Sequence, residues 1–256
     1  MRFDIITLFP ELFAPFLTHG VNRRAFETGL VDVRLWQLRD FAEGQYRRVD
    51  DRPFGGGPGM VMMAAPLLRC WEAIQADRAD GAPTVLFSPL GDRVSHPLVE
   101  KYAHGTAGAV LVCGRYEGVD QRFVDACVDS HLSLGDFVLS GGEIPAMALL
   151  DAVARLQPGV LNDEGSHQQD SFNPALDGLL DCPHYTRPEA WNGPDGLALV
   201  PDVLLSGHHA QIQKWRREQS LRITQKWRPD VLQAARAAGH LTPQDEKVLG
   251  AGPASV

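Results

Sequence analysis

Apolar and polar positions along the chain form short apolar runs, separated by loops rich in glycine and proline and interleaved with helical periods. RFDIITL (2–8) alternates weakly and carries β-branched residues, which predicts a buried first strand ending at Pro10. A short helix is expected over PELFAPFL, and NRRAFETG (22–29) predicts a second, capped by Asn22 and stopped at Gly29. VDVRLWQL supplies the next strand. Pro66 suits the first turn of a helix running to about Arg78, with Leu67, Leu68, Trp71 and Ile74 as its apolar stripe. TVLF (84–87) reads as a buried strand ending in a Ser-Pro-Leu-Gly turn, before a helix over HPLVEKYA. AVLVC (109–113) is a further buried run, and RFVDACV places Phe123, Val124 and Cys127 on one helical face. IPAMALLDAVARLQPG (144–159) predicts a helix stopped by Pro158 and Gly159. Strands alternating with helices over residues 1–160 predict one α/β domain.

Beyond that point the pattern changes. LNDEGSHQQDSFNP (161–174) has almost nothing apolar and reads as a linker. Residues 175–256 open with a loop-rich stretch around LLDCPHYTRPEAW, and their helical periods and start signals predict a small helical domain. The closing GAGPASV is expected to fray.

Composition changes this picture at three places. The chain of 256 residues carries a formal net charge of -8, which argues against indiscriminate coating of nucleic acid. Yet QIQKWRREQSLRITQKWR (211–228) holds six cationic residues against Glu218, interleaved with Trp215 and Trp227. This local reversal of sign in an acidic protein suits phosphate neutralisation and equally a solvated helix with two core tryptophans; together with the arginine-rich loop at 39–52 it points to an RNA or DNA partner. RDFAEGQYRRVDDRPFGGGPGMVM (39–62) sets arginines beside glycines and prolines, so a ligand-contacting loop is expected there; no Gly-Lys-Ser/Thr follows GGGPG, which excludes a Walker loop. The four cysteines show no C-x-x-C spacing, which fits a reducing compartment and predicts no protein-held metal. With no signal-peptide pattern and no apolar run near the ~18 residues needed to span a bilayer, a soluble, cytoplasmic protein without a membrane partner is expected.

The densest chemistry lies in 109–147, where GRYEGVD (114–120) and SLGDFVLSGGE (133–143) each follow an apolar run. Both lie where an α/β sheet holds ligands, beyond the carboxyl ends of strands. They fail G-x-G-x-x-G, so a dinucleotide site is weakly supported; close backbone approach and an apolar seat suit a small cofactor bound by its adenine and ribose. Asp170, in the linker, carries no compositional mark, and Arg155, in the last turn of its helix, already has a structural role against the helix dipole. Two rival readings are an α/β enzyme acting on a small nucleotide or sugar phosphate and a non-catalytic RNA-binding protein.

Taken together, RPFGGGPGMVM, CGRYEGVDQR, LGDFVLSGGE, GVL, DSF, LLDCPHYTRP and LLSGHHAQI resemble the bacterial tRNA (guanine-N1) methyltransferase family in order and spacing, from residue 1 to about 235. The resemblance implies methyl transfer from S-adenosylmethionine to N1 of the guanosine 3′ of the anticodon. It implies an α/β domain of the SPOUT type with a deep trefoil knot, a homodimer with each cofactor pocket at the subunit interface, and a C-terminal helical domain that helps hold tRNA. Position by position it implies a cofactor pocket from Gly114, Tyr116, Glu117, Gly118, Leu134, Gly135, Asp136, Phe137, Val138, Leu139, Gly141 and Gly142, with Ser88 and Pro89 adding to its wall. Asp170 matches the family's general base and Arg155 its partner near the target guanine. Mg2+ enters as an implication of the resemblance alone, since no carboxylate cluster predicts its site. FSPLG carries Leu90 where the family often has glutamine, and GHH carries His208 where Asn or Asp is usual.

Overall fold

Strand β1 (Arg2–Thr7) sends Phe3 and Ile5 into one buried cluster and Ile6 into another, so the alternation read from RFDIITL becomes the two faces of a central sheet. The computed structural model describes residues 1–78, 80–161 and 167–251. The chain divides into two compact units, Met1–Asn162 and Asp163–Val256.

In the first unit a 3-10 turn (Pro10–Phe13), α1 (Ala14–Thr18) and α2 (Arg23–Glu27) lead to β2 (Asp32–Gln37). A two-residue ladder, β3 (Asp50–Asp51) with β4 (Val61–Met62), precedes α3 (Ala64–Arg78). Then come β5 (Thr84–Arg93), α4 (His96–His104), β6 (Gly108–Val112), α5 (Gln121–Cys127), β7 (Ser130–Ser133) and α6 (Glu143–Ala154). The sheet order is β2-β1-β6-β5-β7 and every pairing is parallel. A parallel sheet needs cover on both faces. Leu149, Leu150 and Val153 of α6 join Phe3, Ile5 and Leu111 on one face. Leu67 and Ile74 of α3 and Phe123 of α5 join Ile6, Val110 and Val112 on the other.

Asp4 breaks the apolar pattern of β1, and its fully buried carboxylate is paired on every side. Arg2 Nη2 (2.7 Å), Arg78 Nη1 (2.9 Å) and Trp36 Nε1 (2.8 Å) all donate to it. Such a charge is tolerated inside only when matched in this way.

Several expectations change in detail. Asn22 precedes α2 but makes no side-chain cap; its amide donates instead to the Asp151 carboxylate on α6. Leu68 stands exposed while Leu67 and Ile74 are fully buried, so the α3 stripe is narrower than its sequence period. β5 runs past TVLF to Arg93, with a register shift against β7 between Phe87 and Asp92 that absorbs the Ser-Pro-Leu-Gly segment. That shift re-aims the chain at the end of the sheet where the glycine loops emerge.

In the second unit, α7 (Asp202–Leu205) is preceded by a hairpin of β8 (Ala190–Gly193) and β9 (Gly196–Leu199), which the helical periods did not foretell. Then α8 (His209–Trp227), α9 (Pro229–Ala237) and α10 (Pro243–Gly250) bury Leu221, Leu232, Ala235, Val248 and Leu249 together with Leu179. Part of the expected linker, 162–166, and the end of the expected frayed tail, 252–256, lie outside the described residues. Among the described residues no helix is long and apolar enough to cross a membrane.

Candidate functional site

The loops after β6 and β7 meet. Gly142 N–H donates to Gly114 O at 3.0 Å, and Arg115 and Gly141 form an isolated antiparallel bridge. The close approach explains two glycines of SGGE separately. A Cβ on Gly142 would lie 2.6 Å from Cys113 Cα, whereas a Cβ on Gly141 would collide with the Arg115 side chain. The first loop is shaped by Tyr116 at φ 61 and Gly118 at φ 141, and is pinned from outside by Glu117 N–H on Met60 O and Met62 N–H on Gly118 O, both 2.9 Å. The glycine-rich run that ends in Met60 therefore packs against the outside of this loop: a Cβ on Gly59 would strike the Glu117 side chain. In the second loop Ser133 Oγ accepts from Gly135 N–H at 3.1 Å, holding the turn after β7.

Between these loops and the shifted part of β5 lies a cavity of about 430 Å³. That volume falls within the usual range of roughly 300–1,000 Å³ for small-molecule sites. Of the residues assigned to the cofactor from the sequence, Ser88, Pro89, Gly114, Tyr116, Glu117, Gly118, Leu134, Gly135, Phe137, Val138, Leu139, Gly141 and Gly142 line it. Asp136 does not; its exposed carboxylate pairs with Arg93 instead. Sequence reasoning missed Arg115, His131, Ser133 and Ser140, which also line it. His131 Nδ1 lies 3.0 Å from Ser88 Oγ. The one available signal was position, since all four sit inside or beside the two motifs. At the rim Leu90 and Val138 are 84% and 86% exposed.

Cys113 directly follows β6 and is fully buried. Burial pushes its thiol up, and the Glu143 charge adds to that, so it offers no thiolate nucleophile. A larger groove of about 900 Å³ lies elsewhere on the first unit, among Arg52, Phe54, Met62, Leu68, Arg122 and Cys127. None of the assigned cofactor residues lines it, and no pair of glycine loops converges there.

Arg155 stands at the C-cap of α6, the helix whose N-cap is Gly142, and is half-buried. Asp170 belongs to the second unit, at a bend after a short 3-10 turn (His167–Gln169), where its carbonyl accepts from Asn173 N–H at 3.2 Å. The cationic stretch forms most of α8, but its cations are unequal. Arg217 is drawn into the fold by Asp177 (2.8 Å) and Asp245 (3.0 Å), and Arg228 pairs with Asp230 at 2.7 Å. Trp227 is 67% exposed with Lys226 Nζ 4.8 Å above its ring, while Trp215 packs against Tyr185. In the 39–62 segment Arg47 and Arg48 are paired with Asp40 and Asp51, so they face carboxylates within the segment.

A family model described as tRNA (Guanine-1)-methyltransferase TrmD matches residues 1–234. The chain belongs to this family. Proteins named tRNA (guanine-N(1)-)-methyltransferase are similar to it over nearly their whole length. Those from Polaromonas sp. (strain JS666) and Paracidovorax citrulli are 70% and 71% identical over 253 residues, 97% of this chain and 96% and 97% of theirs. The protein of that name from Bordetella pertussis is 56% identical over 97% of this chain and 96% of its own. Within the tRNA (guanine-1)-methyltransferase family, the glycine loops of this chain are thus the walls of a preformed cavity.

Proposed function

We propose that the protein methylates N1 of the guanosine immediately 3′ of the anticodon in tRNA, using S-adenosylmethionine held between the two glycine loops. The observation that carries the reading is the convergence, on one cavity, of the two motifs that resemble the family's cofactor loops. The cavity suits such a ligand: backbone lies open at Gly114, Gly118 and Gly135, and Leu86, Leu134 and Leu139 offer an apolar seat. Bound there, S-adenosylmethionine supplies a methyl group already activated by its sulfonium.

The protein's own work is then proton chemistry and alignment. Guanine N1 carries a proton at neutral pH and is a poor nucleophile until that proton leaves. Asp170 accepts it as general base, and Arg155 offsets the negative charge that develops on O6. The loops fix the donor, so that the acceptor meets it in line. Mg2+ does not fit this picture. Among the described residues, Asp181, Cys182 and His184 bring metal-ligand atoms within 4.8 Å of one another, but a hard cation prefers oxygen and water to a thiol and an imidazole. No step is derived through it.

Around that chemistry we read a SPOUT-type deep trefoil knot where residues 114–118 and 134–142 cross, a homodimer, and an organisation into a catalytic domain (1–160), a linker carrying the base (161–174) and a tRNA-binding helical domain (175–256), in the cytoplasm. Leu90, Phe137 and Val138, all exposed around the same cavity, support a subunit interface there, since exposed apolar side chains that cluster mark interaction sites. Lys226 and Trp227 on α8 support an RNA surface.

The test uses labelled S-adenosylmethionine and two tRNA transcripts that differ only in guanosine or adenosine after the anticodon. Label is expected in the first alone; equal incorporation would falsify the assigned target. Asp170→Asn is expected to bind cofactor normally by calorimetry and to lose on the order of 10²–10⁴-fold in turnover. Wild-type turnover by that variant removes Asp170 as the base.

A further inference from the structure

Behind the two loops lies a charged pair that neither the loop chemistry nor the proton transfer uses. Glu143, the first residue of α6, is 1% exposed. Its carboxylate accepts from Thr7 Oγ1 at the end of β1 (2.8 Å) and lies 2.9 Å from Arg115 Nη2. Arg115 reaches further: its Nη1 donates to Ser140 O at 3.2 Å, its backbone N–H points to Met62 Sδ at 3.1 Å, and its guanidinium carbon lies 4.6 Å over the Phe9 ring. One ion pair therefore joins the end of β1, the first loop, the second loop and the N-terminus of α6.

Stability alone is a poor account of such a pair. Desolvating two charges costs about what their attraction returns, and an apolar pair of similar volume often serves as well. Nor is the pair fully matched, since Arg115 Nε is buried without a hydrogen-bond partner and Glu143 Oε2 meets Arg115 Nη2 as an ion pair alone. What the pair adds is direction. A planar guanidinium with a fixed fork sets the separation and rotation of the segments it bridges, which a greasy contact does not. The sequence makes room for it, because only glycine at 141 lets the Arg115 side chain pass over the second loop.

We propose that Arg115 and Glu143 are positioning residues: a clasp that fixes the gap between the two glycine loops and thereby the seat of the methyl donor. The proposal rests on reading the cavity as the S-adenosylmethionine site. Glu143 acts only through the loops, whereas Arg115 also contributes to the cavity lining. Glu143 does not line the cavity at all. Opening the clasp from the Glu143 side leaves the cavity lining chemically intact but misplaced, so it weakens cofactor binding before it affects tRNA.

The experiment compares full-length wild type with Glu143→Gln, Arg115→Lys and, as a stability control, Asp4→Asn, whose side chain lies on the same strand as Thr7 but in the other buried layer. Cofactor affinity by calorimetry, KM for each substrate, kcat and urea midpoint are measured for each. Glu143→Gln is expected to raise the Kd and KM for S-adenosylmethionine about tenfold, roughly 1.4 kcal/mol, with KM for tRNA unchanged. Arg115→Lys keeps the charge but loses the fork, and is expected to fall between the two. Asp4→Asn is expected to lower the urea midpoint and leave cofactor affinity alone. Wild-type cofactor affinity in Glu143→Gln, or an equal loss of affinity in Asp4→Asn, overturns the clasp. If Glu143→Gln does not fold, Arg115→Lys decides, and an unchanged Kd there overturns it. A wild-type protein that binds no S-adenosylmethionine overturns the reading of the cavity, and the clasp with it. A wild type that binds beside an unaffected variant overturns the clasp only.

Discussion

At the scale of single residues, glycines in this protein act in two physically different ways, and substitution separates them. Gly142 has an ordinary backbone conformation (φ -79), so its constraint is space: a Cβ would meet Cys113 Cα at 2.6 Å and Gly114 N at 3.1 Å, both backbone atoms that cannot yield. Gly118 has the reverse problem. Its φ of 141 is poor for any side chain, but nothing lies within 4 Å of the added atom. Gly142→Ala is therefore expected to cost ~2 kcal/mol or more in urea unfolding and to weaken cofactor binding by parting the loops. Gly118→Ala should cost about 1–2 kcal/mol, from backbone strain alone. Equal urea midpoints for wild type and Gly142→Ala would mean the loops part freely. At this scale the sequence was only half legible: it marked the glycines but not which neighbour each one faces, and it passed over Arg115 and Glu143 because their meaning lies in a contact across 28 residues.

At the scale of elements, legibility followed burial. β1, α3 and α6 were readable because their apolar positions repeat with the period of the element and face a core, and β6 because an unbroken apolar run is buried on both faces of the sheet. The β8–β9 hairpin was not, because Trp191, Leu197 and Leu199 stand exposed and no buried face imposes alternation. β5 was read short because its continuation past Phe87 is held by a shifted register, and register is invisible to a periodicity count. Polar anchors were equally hidden. The start of α10 is held by a reciprocal capping box between Thr242 and Asp245, and Asp245 also receives both arms of Arg217 (3.1 and 3.0 Å). Desolvation pushes the Asp245 carboxyl up, but the hydrogen bonds from Arg217 and Thr242 outweigh it and leave it below its ordinary value. A depressed carboxylate stabilises the fold above its unfolded value, and that contribution is lost as pH falls through the folded value. Asp245→Asn should therefore destabilise the second unit by about 1–3 kcal/mol at neutral pH, and the difference from wild type should shrink on acidification through the carboxylate range. Urea midpoints of both proteins measured across that range check it; a gap that grows toward acid contradicts the assignment.

At the scale of the whole molecule the chain sets an acidic surplus against a local cationic stretch. The formal charge of -8 repels a polyanion at a distance, so affinity for tRNA has to come from a patch strong enough locally to overcome it. The cationic stretch of α8 and its C-cap is the proposed patch, in reduced form, because Arg217 and Arg228 are engaged by acids while Lys226 sits over the exposed Trp227. The proposed site residues are divided along the chain in a similar way. The cavity and Arg155 belong to the first unit and Asp170 to the second. The cavity loops were legible from their own glycine pattern, but the two catalytic candidates are lone residues without a period to announce them, and only the family resemblance singled them out. The two ligands should therefore answer differently to salt. Phosphate contacts release counterions, so raising salt from about 50 to about 200 mM should raise KM for tRNA by an order of magnitude or more. On the proposed reading the cofactor meets backbone groups and leucines, and its Kd should hardly move. If Lys226 meets a tRNA phosphate as proposed, replacing it by alanine, which leaves the cavity untouched, should lower the slope of log KM for tRNA against log salt by about 1. An unchanged slope in that variant would place the tRNA surface away from the end of α8, and a cofactor Kd that climbed in parallel with the tRNA KM would mean that salt loosens the fold and that the charges on α8 are not what it reads.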